Sequence, residues 1–215
     1  MNETPLTHIA ESPAQSGELR WIPVLAGGFA VLVALIVTLV LTNRGPDPLD
    51  ARAELFTGLG GDFTLTSHTG AAVSLADFRG QVVVVYFGYS FCPDVCPIHL
   101  TLMTAALDQM GRRGNNIQPL FISVDPGRDT PEALNGYVSH FREDLIGLTG
   151  TQNDIDGVAD NYAVAHEIIE DPDFTDYLVN HTSVFYVIDK QGNVVDILSS
   201  DSTPAQLAQQ LGRHL

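Results

Sequence analysis

Cysteine is scarce: the 215 residues contain two, Cys92 and Cys96, with three residues between them. No second pair exists, which argues against a structural zinc site, since that metal normally takes four protein ligands. Cations are scarce too. Ten Lys and Arg face 26 Asp and Glu, a formal net charge of −16, and such a surface repels nucleic acid and anionic lipid. The acids, spread through the later part of the chain, keep a domain soluble or attract a cationic partner or metal. One stretch lacks ionisable side chains altogether: WIPVLAGGFAVLVALIVTLVLT, from Trp21 to Thr42.

That run is about the length a helix needs to cross roughly 30 Å of hydrocarbon. A cleaved signal peptide has a shorter apolar core, about 7–15 residues, and a small-residue cleavage site; the exit TNRGPDP offers none. The expected organisation is a tail over 1–20, a transmembrane anchor over 21–42, a tether over 43–58 and one folded domain over 59–215. Arg20 before the run and Arg44 and Arg52 after it leave the positive-inside rule undecided. Orientation is read instead from the thiol chemistry below, which suits the extracytoplasmic side.

Within the domain, FTLTSHTGAAVSL alternates apolar and polar positions around His68-Thr69-Gly70 and reads as a β-hairpin. QVVVVYFG is a continuous β-branched run, the mark of a strand buried on both faces. The cysteines follow, with Asp94 as a candidate N-cap and Leu100, Met103, Ala106, Leu107 and Met110 as the apolar face of a helix that Gly111 and Gly114 stop. A second buried strand, IQPLFISVD, leads to Thr130-Pro131, the cap and first residue of a helix through about Phe141. Another short helix is expected over 153–165. VFYVID and VVDILSS form strands joined at Lys190–Asn193, and Thr203-Pro204 opens a last helix. The order βαβ then ββα, with an added N-terminal hairpin and a helical insertion, is an α/β, thioredoxin-like plan preceded by one transmembrane helix.

Cys92 and Cys96 thus lie between the end of a central strand and the first turn of the next helix, where ligands gather in open sheets. The helix dipole and free amides there lower thiol pKa values. Pro93 and Pro97 stiffen the loop, and the pair can act as a dithiol switch, close a disulfide or chelate a soft ion such as Cu(I), which accepts two or three ligands. An imidazole is the natural third ligand. His8, His68 and His214 are set aside by position, and His140 and His166 have no implied route to the sulfurs. His99 shares the helix face of Cys96 but reads as a solvated first-turn residue; His181, just before a core strand, sits where this plan brings a loop over the cysteines. Both stay open, with geometry favouring His181. Tyr86 and Tyr89 read as packing residues.

With these residues assembled, the chain resembles the Sco/SenC family of copper chaperones for cytochrome c oxidase assembly. The resemblance rests on YFGYSFCPDVCP, on VDPGRDTPEAL with Asp125 and Arg128, on GLTGT at 147–151 and on DYLVNHTSVFYVID. It implies one copper ion, Cu(I) or Cu(II), bound by Cys92, Cys96 and His181, and demotes His99. It also implies an inner-membrane protein with a cytoplasmic tail and its domain in the periplasm. The partner it implies is the binuclear copper centre of cytochrome c oxidase subunit II, with an upstream periplasmic copper donor or thiol reductant behind it. Asn180 stands where the family commonly has aspartate, and Asn180 and Asp125 are candidates for tuning the site from outside the ligand set. A thiol-disulfide oxidoreductase using the same dithiol is the rival expectation. A peroxidase is disfavoured, because no threonine-proline pattern leads to a single reactive cysteine.

Overall fold

The computed structural model describes residues 32–39, 54–170 and 176–215. These fall into two units, one holding Leu32–Leu39 and the other everything from Glu54 onward. Leu32–Leu39 is helical with every side chain exposed, and the Thr38 hydroxyl is satisfied inside the helix by the Ala34 carbonyl at 2.8 Å. Among the described residues no helix is long and apolar enough to cross a membrane. The rest of the expected anchor, the tail and most of the tether lie outside the described residues.

The domain's hairpin is β1, Thr64–Ser67, and β2, Ala72–Ser74, turning at His68–Gly70 as expected. A 3-10 turn over Leu75–Phe78 follows. β3, Val82–Gly88, is buried at every position, as its unbroken β-branched pattern requires. Helix α1, Val95–Gln109, returns over the sheet and lays Leu100, Met103, Ala106 and Leu107 into the core. β4, Ile117–Ser123, runs parallel to β3 in register from Val82↔Ile117 to Gly88↔Ser123.

Thr130 then caps α2, Pro131–Val138, accepting the Ala133 amide with Pro131 in the first turn. The helix ends at Val138, short of the expected Phe141. β5, Ile146–Thr149, joins parallel to β4 and antiparallel to β1. α3, Gln152–Asn161, opens on a capping box between Thr151 and Asp154 and is the helical insertion, shorter than the expected 153–165. β6, His166–Ile169, and β7, Leu178–His181, form a separate two-stranded ribbon. β8, Val184–Ile188, and β9, Val194–Ser199, complete the main sheet, and α4, Pro204–Leu211, packs beside α1.

The seven-stranded order is β2-β1-β5-β4-β3-β8-β9. β3 lies inside it, parallel to β4 and antiparallel to β8, so the segment after β3 emerges at a carboxyl end where two parallel strands finish together. That is the thioredoxin-like arrangement expected from the element order, and it fixes where the cysteines must lie.

Candidate metal centre

Cys92 belongs to the loop leaving β3 and Cys96 to the first turn of α1, and both are free thiols. Their surroundings differ. Cys96 is fully enclosed, whereas Cys92 keeps 9 % of its surface at the protein boundary. Room for the inner sulfur comes from Gly88: a Cβ there would stand 2.9 Å from Cys96 Sγ and 2.9 Å from the Phe121 ring.

Asp94 occupies the N-cap position of α1, but its side chain makes no capping hydrogen bond. The sulfur of Cys92 takes that role, accepting the Cys96 amide at 3.5 Å. A helix start offers unpaired donors and the positive end of a dipole, both of which stabilise an anion. Hydrogen bonding from Cys96, aided by the amides of Asp94 and Cys96, lowers the Cys92 pKa to about 3. The Cys92 thiolate and burial in turn push Cys96 up. The opposite shifts favour a proton on the inner sulfur and a thiolate on the outer one.

His181 closes the site from the end of β7. Its Nε2 lies 3.3 Å from Cys96 Sγ, while Nδ1 lies 3.0 Å from the Thr182 carbonyl oxygen. A carbonyl only accepts, so Nδ1 carries the proton and Nε2 presents its lone pair toward the sulfur, the arrangement an imidazole ligand needs. Tyr89 and Tyr86 wall the ring edge-on, with centroids at 5.9 and 6.2 Å. The imidazole faces the inner sulfur, and thiolate and imidazole are donors suited to Cu(I) and Cu(II); among the described residues no three His, Cys, Asp or Glu side chains are already grouped as a metal site.

The other singled-out residues fall in different places. His99 is not the solvated first-turn residue expected: it is 9 % exposed, because α1 turns it inward onto the Tyr86 hydroxyl, 2.8 Å from its Nδ1. Tyr86 packs in the core as expected, yet its hydroxyl also reaches Cys96 Sγ at 3.9 Å. Asp125 is buried and makes its polar contacts with Arg128 Nε at 2.5 Å and the Tyr177 hydroxyl at 2.8 Å. Asn180 is exposed on β7, opposite Glu167. His68 accepts the Gly147 amide, His166 meets Asp156 and His214 meets Asp196.

Two supports escaped the sequence. Asp129 is fully buried and accepts from the Ser90 amide and hydroxyl and from the Ser123 hydroxyl, so one carboxylate ties the cysteine loop to the end of β4. Arg128 lies 3.6 Å above the Tyr177 ring and donates to the Tyr177 carbonyl at 2.9 Å, latching the entry of β7 to the same strand end. A buried acid in DTPEAL and an arginine three residues after Asp125 were visible as letters, but their partners are 39 and 49 residues away. Flanking the two cysteines in sequence, Phe91, Val95 and Ile98 are exposed, Phe91 by 54 % and Ile98 by 57 %.

Fold and site together define a thioredoxin-like protein with a helix-start dithiol and a facing imidazole. Comparison with known proteins places that class more narrowly. The SCO1/SenC family model matches residues 52–215, and the chain belongs to that family. It is 42 % identical over 154 residues to protein SenC of Rhodobacter capsulatus, covering 72 % of this chain and 69 % of that one. It is 34 % identical over 209 residues to the mitochondrial SCO1 homolog of Homo sapiens, covering 94 % of this chain and 69 % of that one. Among solved structures, Bradyrhizobium japonicum ScoI with copper bound superposes with a TM-score of 0.68 at 36 % identity, over 73 % of this chain and 99 % of that one.

Proposed function

We propose that this chain is a membrane-anchored copper chaperone that holds one copper ion by Cys92, Cys96 and His181 and delivers it to the binuclear copper centre of cytochrome c oxidase subunit II. The observation that carries the reading is the approach of His181 Nε2 to Cys96 Sγ at 3.3 Å, with Nδ1 already committed to a backbone carbonyl. Relatives support the metal, since a similar protein, ScoI, has been solved with copper bound from both Bradyrhizobium japonicum and Arabidopsis thaliana.

Copper is the cargo. Cys92 meets it as a thiolate, Cys96 gives up its proton on binding, and the imidazole adds a neutral third donor. A two- or three-coordinate Cu(I) leaves a side open to an incoming thiolate, so ligands exchange one at a time and no free ion is released. Phe91, Val95 and Ile98 offer the receiving protein apolar surface beside the sulfurs. The apolar run over 21–42 serves as the anchor, with residues 1–20 in the cytoplasm and the domain in the periplasm, within reach of an upstream copper donor or thiol reductant.

Copper titration of the protein tests the reading. Wild type is expected to bind one equivalent, with Cys92→Ala and His181→Ala losing affinity; unchanged affinity in both variants overturns it. A second reading, reduction of the oxidase cysteines by the Cys92/Cys96 dithiol, is favoured by one specific feature, the outer sulfur's pKa near 3 beside a protonated buried partner. His181→Ala separates the two, because a pure reductant keeps supporting oxidase assembly without the imidazole and a chaperone does not.

A further inference from the structure

His99 and Tyr86 have no part in the ligand set, yet the fold encloses both beside it. Tyr86 is fully buried and its ring stands edge-on to both imidazoles, 5.5 Å from His99 and 6.2 Å from His181. Its hydroxyl oxygen lies 2.8 Å from His99 Nδ1 and 3.9 Å from Cys96 Sγ. A phenol has one proton to donate. Pointed at His99, the proton is lost to the sulfur, which keeps the Tyr89 amide as a donor. With the imidazole proton on Nδ1, His99 donates to the phenol oxygen, and the O–H is free to turn to Cys96. A metal-bound sulfur is anionic, and a hydrogen bond to an anion is roughly twice as strong as a neutral one, so the second arrangement is favoured once Cys96 is a ligand.

We propose that Tyr86 and His99 are a positioning pair, in which His99 Nδ1–H donates to the Tyr86 oxygen and thereby commits the Tyr86 hydroxyl to Cys96 Sγ. The inference rests on the reading of Cys96 as a copper ligand. A hydrogen bond to a ligating sulfur draws electron density from it, which raises the potential of the bound metal and the energy of sulfur-to-metal charge transfer. His181 is held by a different acceptor, Thr182, so the pair acts on one sulfur rather than on the whole site.

The test loads the full chain with Cu(II) in detergent and records copper stoichiometry, the thiolate charge-transfer band and the midpoint potential. Tyr86→Phe, which keeps the buried ring, is expected to bind one copper with the band moved to longer wavelength and the potential lowered. His99→Leu is expected to do the same to a smaller degree, and His99→Gln, whose amide can donate to the phenol, to restore the wild-type spectrum. A Tyr86→Phe band coincident with wild type overturns the pair, as does a His99→Gln spectrum identical to His99→Leu. Cys96→Ser is the separate control: if it keeps the wild-type band, the sulfur is not a ligand and the underlying reading fails instead.

Discussion

The proposed donors come from two regions built in opposite ways. Cys92 and Cys96 stand at the end of β3, whose seven residues are all buried, in a loop pinned by Asp129. His181 stands at the end of a two-stranded ribbon whose outer residues include Ile168 at 63 % exposed, tied back by the Arg128 latch onto Tyr177. Stability within a protein follows local packing. The sulfurs therefore belong to the frame and the imidazole to a light flap, which suits the proposed carrier, gripping with two donors while the third comes and goes.

The strongest way to break this contrast is to remove one donor from each side. Cys96→Ala is expected to abolish stoichiometric copper binding, whereas His181→Ala should keep a two-coordinate Cu(I) with affinity reduced about 100-fold, roughly 3 kcal/mol. Competition against a Cu(I) chelator measures both, and equal losses would erase the distinction. Next in size is the frame's own support. Asp129→Ala leaves the Ser90 and Ser123 donors without their buried acceptor and should cost about 1–3 kcal/mol, read by denaturant unfolding; a change below a few tenths would show that the clamp is ornamental.

The flap's latch should behave differently. Arg128→Ala is expected to speed amide exchange across Leu178–His181 and to weaken copper binding roughly 10-fold, with little effect on global unfolding. If exchange in β3 and β4 rises equally, frame and flap are one cooperative unit. The smallest effect concerns the proton. Because the Cys92 pKa is lowered to about 3, thiolate persists as pH falls, and alkylation of the metal-free protein should stay nearly flat from pH 8 to pH 5. An ordinary thiol loses reactivity below about pH 8.5, so a steep decline over that window contradicts the assigned proton.

The same contrast explains which parts were legible in the sequence. The frame announces itself: Val82–Val85 is an unbroken β-branched run, Thr130-Pro131 is a cap, and the cysteines fall where strand meets helix. The hairpin at His68–Gly70 was as plain. β5 was missed because Ile146–Thr149 is four residues interrupted by Gly147, a strand made by neighbours on both sides rather than by its own pattern. The ribbon was missed because exposed strands carry no buried stripe to read. His99 shared a helix face with Cys96, and spacing could not reveal that a tyrosine 13 positions earlier would receive it. Asp94 looked like the cap by residue type, and a sulfur two positions before it had the better geometry.

That last substitution links cargo to backbone. The amide of Cys96 donates to the sulfur that would also face the metal, so any change in that sulfur's charge, by metal, proton or oxidation, is felt by the first turn of α1. Loading and unloading should then be written into the amide nitrogen shift of Cys96 before any side chain moves. On the proposed reading, the protein carries its own occupancy gauge, one peptide bond long.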